Sequence, residues 1–97
     1  MTTYKYVRYG EFYRIVNEYD TYYMILDEDY DEVPLSKTPN DVVETRTYLP
    51  EGTVVVYHNQ ICVISDVDIN DFDTPYLIDF GHTDQWCEFD EVKEINY

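Results

Sequence analysis

Residues Val54–Ile64 read VVVYHNQICVI, and this stretch indicates the fold more clearly than any other part of the chain. Two short runs of apolar, largely β-branched residues flank His58-Asn59, and such side chains fit the pleated, half-buried surface of a sheet. Asparagine is a common residue of tight turns because it tolerates a left-handed backbone. The stretch therefore predicts two antiparallel strands that meet at a two-residue hairpin turn.

The rest of the composition also favours strands. The chain contains no alanine and has twelve tyrosines among its 97 residues. Turn residues separate the apolar runs: Leu49–Gly52 predicts a turn with Pro50 in its second position, and Gly81–Asp84 predicts a hairpin connection. Only residues 38–44 and 89–92 favour a helical turn, and each is too short for more than one. We therefore expect an all-β protein with minor helical turns.

Three segments of the sequence recur in the same order. Residues 7–16 match 55–64 at an offset of 48, residues 20–25 match 73–78 at 53, and residues 41–44 match 91–94 at 50. Each copy predicts five short strands with a single helical turn before the last. The pattern indicates an internal duplication, although two unrelated β-meanders could show the same similarity.

This strand order resembles that of the tandem SH3-like small barrels found among bacterial and phage proteins. The resemblance covers most of the chain and includes the paired motifs DTYYMI at residues 20–25 and DTPYLI at residues 73–78. It implies two SH3-like small β-barrels packed together, one over residues 1–48 and one over residues 49–97. It also implies that the protein binds partners.

The formal net charge of -15 excludes several classes of function. A surface this negative repels nucleic-acid phosphates and anionic lipid, so we expect no direct binding to DNA, RNA or membranes. The first 20 residues lack the apolar core of a signal peptide, and no window is long enough to cross a bilayer. Cys62 and Cys87 have neither a metal-ligand spacing nor a disulfide pattern. We therefore expect a cytoplasmic protein.

The acidic residues concentrate in two stretches that contain no lysine or arginine, residues 15–36 and 47–92. Such stretches are often solvated loops, but holding many like charges on a small domain costs stability. A globule of this length is about 30 Å across, and the same length of duplex carries roughly 18 phosphates. Alternating carboxylates on an extended segment would lie about 6.6 Å apart on one face, similar to a phosphate repeat. The predicted partner-binding residues are Asp27, Glu28, Asp29, Tyr30, Asp31, Glu32, Asp66, Asp68, Asp71, Phe72 and Asp73.

No pattern of catalytic or metal-binding residues stands out. Asp66–Asn70 is similar to the start of a calcium loop, but the required glycine and final glutamate are replaced by Asp71 and Leu77. His82, Asp84 and Cys87 fall along one hairpin, which does not favour a nucleophile with its base. We therefore expect a protein that is not an enzyme and has no dedicated metal site or cofactor, with any cation binding by the acidic loops adventitious.

The leading hypothesis is an acidic inhibitor that occupies the basic nucleic-acid-binding surface of another protein, which in phage counter-defence would be a host nuclease. In size, charge and aromatic content the chain is similar to anti-CRISPR and anti-restriction inhibitors, which would place it in the host cytoplasm. The alternative is an SH3-like adaptor that binds proteins through an apolar or aromatic groove, and a third reading is a structural subunit of a larger assembly. We expect a monomer or a weak homodimer.

Overall fold

The computed structural model describes residues 2–95, which form strands and one short 3-10 helix. They fall into two compact units, one of residues Thr2–Thr47 and one that begins at Tyr48. The predicted boundary, between residues 48 and 49, differs from this division by one residue. The protein is all-β, as its composition predicts.

The first unit is a five-stranded antiparallel sheet. Its strands are β1 (Thr3–Tyr9), β2 (Glu11–Glu18), β3 (Tyr22–Leu26), β4 (Glu32–Ser36) and β5 (Val43–Thr47). They lie in the order β4-β3-β2-β1-β5. The edge strand β4 contains Pro34, which lacks an amide hydrogen and is tolerated where no further strand has to pair.

The second unit is a similar sheet. Its strands are β6 (Val54–Tyr57), β7 (Gln60–Val67), β8 (Tyr76–Asp79), β9 (Asp84–Cys87) and β10 (Val92–Glu94). They lie in the order β10-β6-β7-β8-β9, which repeats the arrangement of the first unit. A 3-10 helix (Phe89–Glu91) precedes the last strand, as predicted.

The turn of the first hairpin is one residue longer in the second unit than in the first. His58 and Asn59 both have positive φ, at 48° and 66°, and form the predicted two-residue turn between β6 and β7. In the first unit, Gly10 alone separates β1 from β2, with φ at 75°. The offset between the units is therefore 48 before the hairpin and 49 after it, so the constant offset of 48 was wrong for residues 11–16.

With that shift, both sheets carry the same irregularity. In β2 the register skips a residue between Ile15, opposite Ile25, and Asn17, opposite Met24. In β7 it skips a residue between Ile64, opposite Ile78, and Asp66, opposite Leu77. A bulge adds local twist and bends the strand. The two sheets therefore bend at the same position.

Each sheet has one buried face, and β1 is also buried on its other face, because its adjacent residues Tyr6 and Val7 are both fully buried. The first sheet buries Val7, Tyr23 and Ile25, against which four half-buried residues pack. Tyr23 and its counterpart Tyr76 were predicted to lie in the core, and both are buried. The second sheet buries Val55, Cys62, Ile64, Tyr76, Ile78, Cys87 and Val92.

The second sheet is strongly curved. Burial, followed by the nearby Cys87 thiol of β9, raises the pKa of Tyr57 in β6, although three strand spacings separate these strands in the sheet order. In a flat sheet that separation would be about 14 Å. Curvature brings the two strands together, but the hydrogen-bonded pairing of residues 2–95 leaves both sheets open. The closed barrels of the sequence prediction are not confirmed.

Two turns differ from the predictions. The turn near residue 50 is closed by the Thr53 amide donating to the Pro50 carbonyl at 3.2 Å, so Pro50 is its first residue and not its second. The helical turn predicted in residues 38–44 is a β-turn, in which the Asp41 amide donates to the Thr38 carbonyl at 3.3 Å. The Asp41 carboxylate in turn accepts hydrogen bonds from the Thr38 amide and hydroxyl, both at 2.9 Å, which holds the turn without a helix.

Within residues 2–95 we find no helix with the length and apolar character that crossing a bilayer demands.

Candidate partner-binding surface

The first acidic loop, residues 27–32, is folded tightly around one carboxylate. Asp27 Oδ1 accepts hydrogen bonds from the amides of Asp29 and Asp31, both at 2.9 Å. The Tyr30 amide donates to the Asp27 carbonyl at 3.1 Å, and Tyr30 takes a left-handed backbone with φ at 62°. The Asp27 side chain therefore builds the loop between β3 and β4 rather than pointing freely at a partner.

This geometry corrects the spacing expected from the sequence. Asp27, Asp29 and Asp31 do not alternate along an extended segment, because the loop turns back at Tyr30. Their ligand oxygens lie within 4.8 Å of one another, and within residues 2–95 no other three such side chains approach this closely. Oxygen ligands at this separation could share a hard cation. The sequence had suggested Asp66–Asn70 instead for any resemblance to a calcium loop.

Aromatic rings accompany the first acidic loop. The Tyr30 side chain is 65% exposed, which fits its prediction as a contact residue. The Tyr13 hydroxyl donates a long hydrogen bond of 3.4 Å to Glu28 Oε1. Partial desolvation, followed by the negative charge of Glu28, raises the pKa of Tyr13. The Tyr13 contact therefore anchors Glu28 against β2, while Asp29, Asp31 and Glu32 are exposed.

The second acidic loop, residues 66–73, includes the last two residues of β7 and is also held by its own carboxylates. Asp68 Oδ1 accepts a hydrogen bond from the Asn70 amide at 3.0 Å. Asp71 Oδ1 accepts from the Asp73 amide at 3.2 Å and the Thr74 amide at 3.1 Å. Such turns are a common use of aspartate next to a free backbone amide. Asp66 and Asp73 are exposed, whereas Asp68, Asp71 and Phe72 are half-buried.

The two acidic loops are not equivalent positions of the repeat. The first joins the third and fourth strands of its sheet, and the second joins the second and third strands. Successive connections of an antiparallel meander alternate between the two ends of a sheet. When each unit is considered by itself, the two loops therefore lie at non-corresponding ends of their sheets. The predicted residues do not form the same site in both units.

The two units also differ in their numbers of acidic and basic residues. Residues 2–47 contain ten acidic and five basic residues, whereas residues 48–97 contain eleven acidic residues and the single base Lys93. Within residues 2–95 no charged side chain is buried. The carboxylates of the second unit therefore all lie at its surface, where almost no positive charge offsets them.

The residues considered for nucleophilic chemistry are placed unfavourably for it. Cys62 and Cys87 are both buried free thiols, and burial raises the pKa of each. A raised pKa keeps a thiol in its protonated, weakly nucleophilic form. His58 stacks on Tyr57 and pairs with Glu91 at 2.7 Å, which ties the β6–β7 hairpin to the 3-10 helix. His58 thus has a structural role in this unit.

Comparison with protein-family models, with curated proteins and with solved structures found no match for this chain.

Proposed function

We propose that the protein is an acidic inhibitor that binds the basic nucleic-acid-binding surface of a partner protein. The observation that carries the proposal is the surface of the second unit, where eleven carboxylates are accompanied by one base. A nucleic-acid-binding groove presents Lys and Arg to phosphates. Carboxylates on a rigid surface can pair with the same Lys and Arg side chains and so exclude the nucleic acid.

The loop geometry supports this mechanism in a second way. Asp27, Asp68 and Asp71 each accept backbone hydrogen bonds within their own loops, so the acidic loops are ordered before a partner arrives. Preorganised groups bind more tightly because less side-chain and loop entropy is lost. Long-range attraction between opposite charges would also accelerate association at low salt. In a phage, the target would be a host defence nuclease such as an RNA-guided nuclease.

A competition assay tests the proposal. The chain is titrated into complexes of an RNA-guided nuclease with fluorescent DNA, and release of the DNA and loss of cleavage are measured at physiological salt. One variant carries Asp27, Asp29 and Asp31 changed to Asn, and another carries Asp66, Asp68, Asp71 and Asp73 changed to Asn. Asparagine keeps the oxygen acceptor that holds the loops. A matched control changes Glu11, Asp20 and Glu44, all outside the two loops, to their amides.

We expect the loop variants to lose displacement while the control keeps it. Inhibition that survives both loop variants would show that the acidic loops are not the binding determinants. The same titration on other nucleic-acid-binding proteins extends the test to other targets. In each case the affinity should fall steeply as salt rises.

For the fold, we propose that each unit is an open relative of the SH3-like small barrel. The five-strand order, the 3-10 turn before β10 and the Tyr57–Cys87 contact across the curved sheet support this relation. The alternative function, an SH3-like adaptor, is favoured by the stacked pair of Tyr19 and Tyr22, whose ring centroids are 4.6 Å apart. Binding through such an aromatic site would change little with salt, which separates it from mimicry.

A further inference from the structure

The outer face of the second sheet has a patch of exposed aliphatic side chains. The register places Val54 opposite Val63 and Val56 opposite Ile61, on the face that points away from buried Val55. Ile61 is 71% exposed, and Val54 and Val63 are each 40% exposed. Four aliphatic side chains from two strands therefore form a continuous solvent-facing patch on β6 and β7.

The same face also has apolar residues at the far edge of the sheet. Leu77 lies opposite Trp86, and both share this outer face. Trp86 is 42% exposed and is the only tryptophan in the chain. Contiguous exposed apolar surface of this kind marks interaction sites on proteins. The outer apolar face consists of Val54, Val56, Ile61, Val63, Leu77 and Trp86.

Three carboxylates and the single base of this unit lie on the same face, and the base, Lys93 of β10, is opposite Val56. Asp79 is opposite Val63, and Asp66 is opposite Leu77. Asp84 lies directly opposite Asp79, so two like charges face each other across neighbouring strands, an arrangement that destabilises a sheet. A cation placed against Asp79 and Asp84 would relieve that repulsion.

We propose that the outer apolar face docks on a protein surface whose apolar centre is bordered by Lys and Arg side chains. Charge decides between the occupants, because three carboxylates outnumber Lys93 on this face and a second copy of this chain would bring another -15 against the first. A basic partner instead pairs with Asp66, Asp79 and Asp84 while its apolar centre covers the aliphatic patch. This inference deepens the proposed function, since it rests on the same class of basic partner.

Trp86 makes the test direct, because its fluorescence reports occupancy of this face alone. The probe is a short synthetic peptide in which Arg and Val alternate, and the control peptide has Ser in place of Val at the same charge. The Arg-Val peptide should shift Trp86 emission to shorter wavelength in a saturable way. The Arg-Ser peptide should bind at least tenfold more weakly.

Two variants locate the binding surface without changing the net charge. The double substitution Ile61→Ser and Val63→Ser should weaken binding of the Arg-Val peptide at least tenfold. Tyr9→Ser, which removes an aromatic side chain that is 68% exposed in the first unit, should leave it unchanged. Circular dichroism checks that both variants fold.

Three results would overturn the proposal. The first is equal binding of the two peptides, and the second is binding that the Ile61 and Val63 substitutions do not weaken. The third is dimerisation of the chain alone in sedimentation velocity that these substitutions abolish, which would make a second copy the occupant. The nuclease competition assay is independent of these peptides, so failure of one test is distinguishable from failure of the other.

Discussion

The two sheets share a strand order and a bulge, yet their outer faces have opposite character. In the first sheet, Tyr4 lies opposite Arg46, and the guanidinium of Arg14 lies 5.7 Å from the centre of the Tyr4 ring. In the second, aliphatic residues and carboxylates occupy the outer face, together with the single base Lys93 opposite Val56. The buried face sets the fold and is similar in both units, whereas the outer faces differ. We therefore propose that partner recognition lies chiefly in the second unit.

The largest predicted effect is on the free energy of unfolding and comes from a substitution on the buried face of the second sheet. Ile78 is fully buried and Ile61 is 71% exposed, although both are isoleucines of the second sheet. Ile78→Ala leaves a cavity and should lower the free energy of unfolding by about 2–4 kcal/mol, whereas Ile61→Ala should change it by less than about 0.5 kcal/mol. Urea denaturation followed by Trp86 fluorescence measures both. Similar losses in the two variants would mean that the assignment of inner and outer faces is wrong.

The second prediction compares the two acidic loops. Neutralising Asp66, Asp68, Asp71 and Asp73 should weaken binding to a basic partner by about tenfold to a hundredfold. Neutralising Asp27, Asp29 and Asp31 should have a smaller effect, because the first unit already contains five bases. Surface plasmon resonance against the same immobilised partner compares them. A larger loss from the first loop would move the recognition surface to the first unit.

The third prediction is that added salt stabilises the second unit more than the first. The second unit has twice the net negative charge of the first, so screening of repulsion should stabilise it more. Amide hydrogen exchange at low and high salt, read separately for residues 2–47 and 48–95, measures this difference. We expect protection in the second unit to rise more with salt. Equal changes would indicate that the charges of each unit are spread too widely to repel strongly.

The smallest effect concerns the turn at residues 38–41 in the first unit. Hydrogen bonds from the Thr38 amide and hydroxyl lower the pKa of Asp41 below its usual value. A carboxylate with a lowered folded-state pKa stabilises the protein above its unfolded pKa of about 3.9, and that contribution is lost as the pH falls through the folded value.

Asp41→Asn should therefore reduce the melting temperature slightly at neutral pH. The difference from the unmodified chain should shrink as the pH falls below about 4. Thermal melts of both proteins from neutral pH to pH 3 measure this, and a difference that stays constant over the range would contradict the role of the ionised carboxylate.

Sequence reasoning was most successful where local chemistry decides the structure. The left-handed turn at His58-Asn59 and the strands around it follow from residue type alone. It failed at Asp27–Asp31, where alternation suggested an extended segment, because one side chain captures two backbone amides and closes the loop. Spacing along a sequence does not show which amides a carboxylate can reach.

The outer apolar face was missed for a related reason. Residues 54–57 and 61–64 are each apolar at successive positions, a pattern typical of a strand buried on both faces. Which face is left uncovered depends on tertiary packing, and only the register and exposure of Ile61 and Val63 reveal it. The partner-binding residues of the acidic loops remain a prediction. In the structure, the two loops connect different pairs of strands in their respective sheets.

The open edges of the sheets have a consequence for handling the protein. Edge strands invite addition of further strands, and charged side chains on and near them oppose it. At neutral pH this chain has a large negative charge, but its isoelectric point is about 4.1. Near that pH the mutual repulsion between molecules disappears while β9 and the exposed Ile61 and Trp86 remain. We expect the purified protein to aggregate in mildly acidic buffers and to stay dispersed at neutral pH.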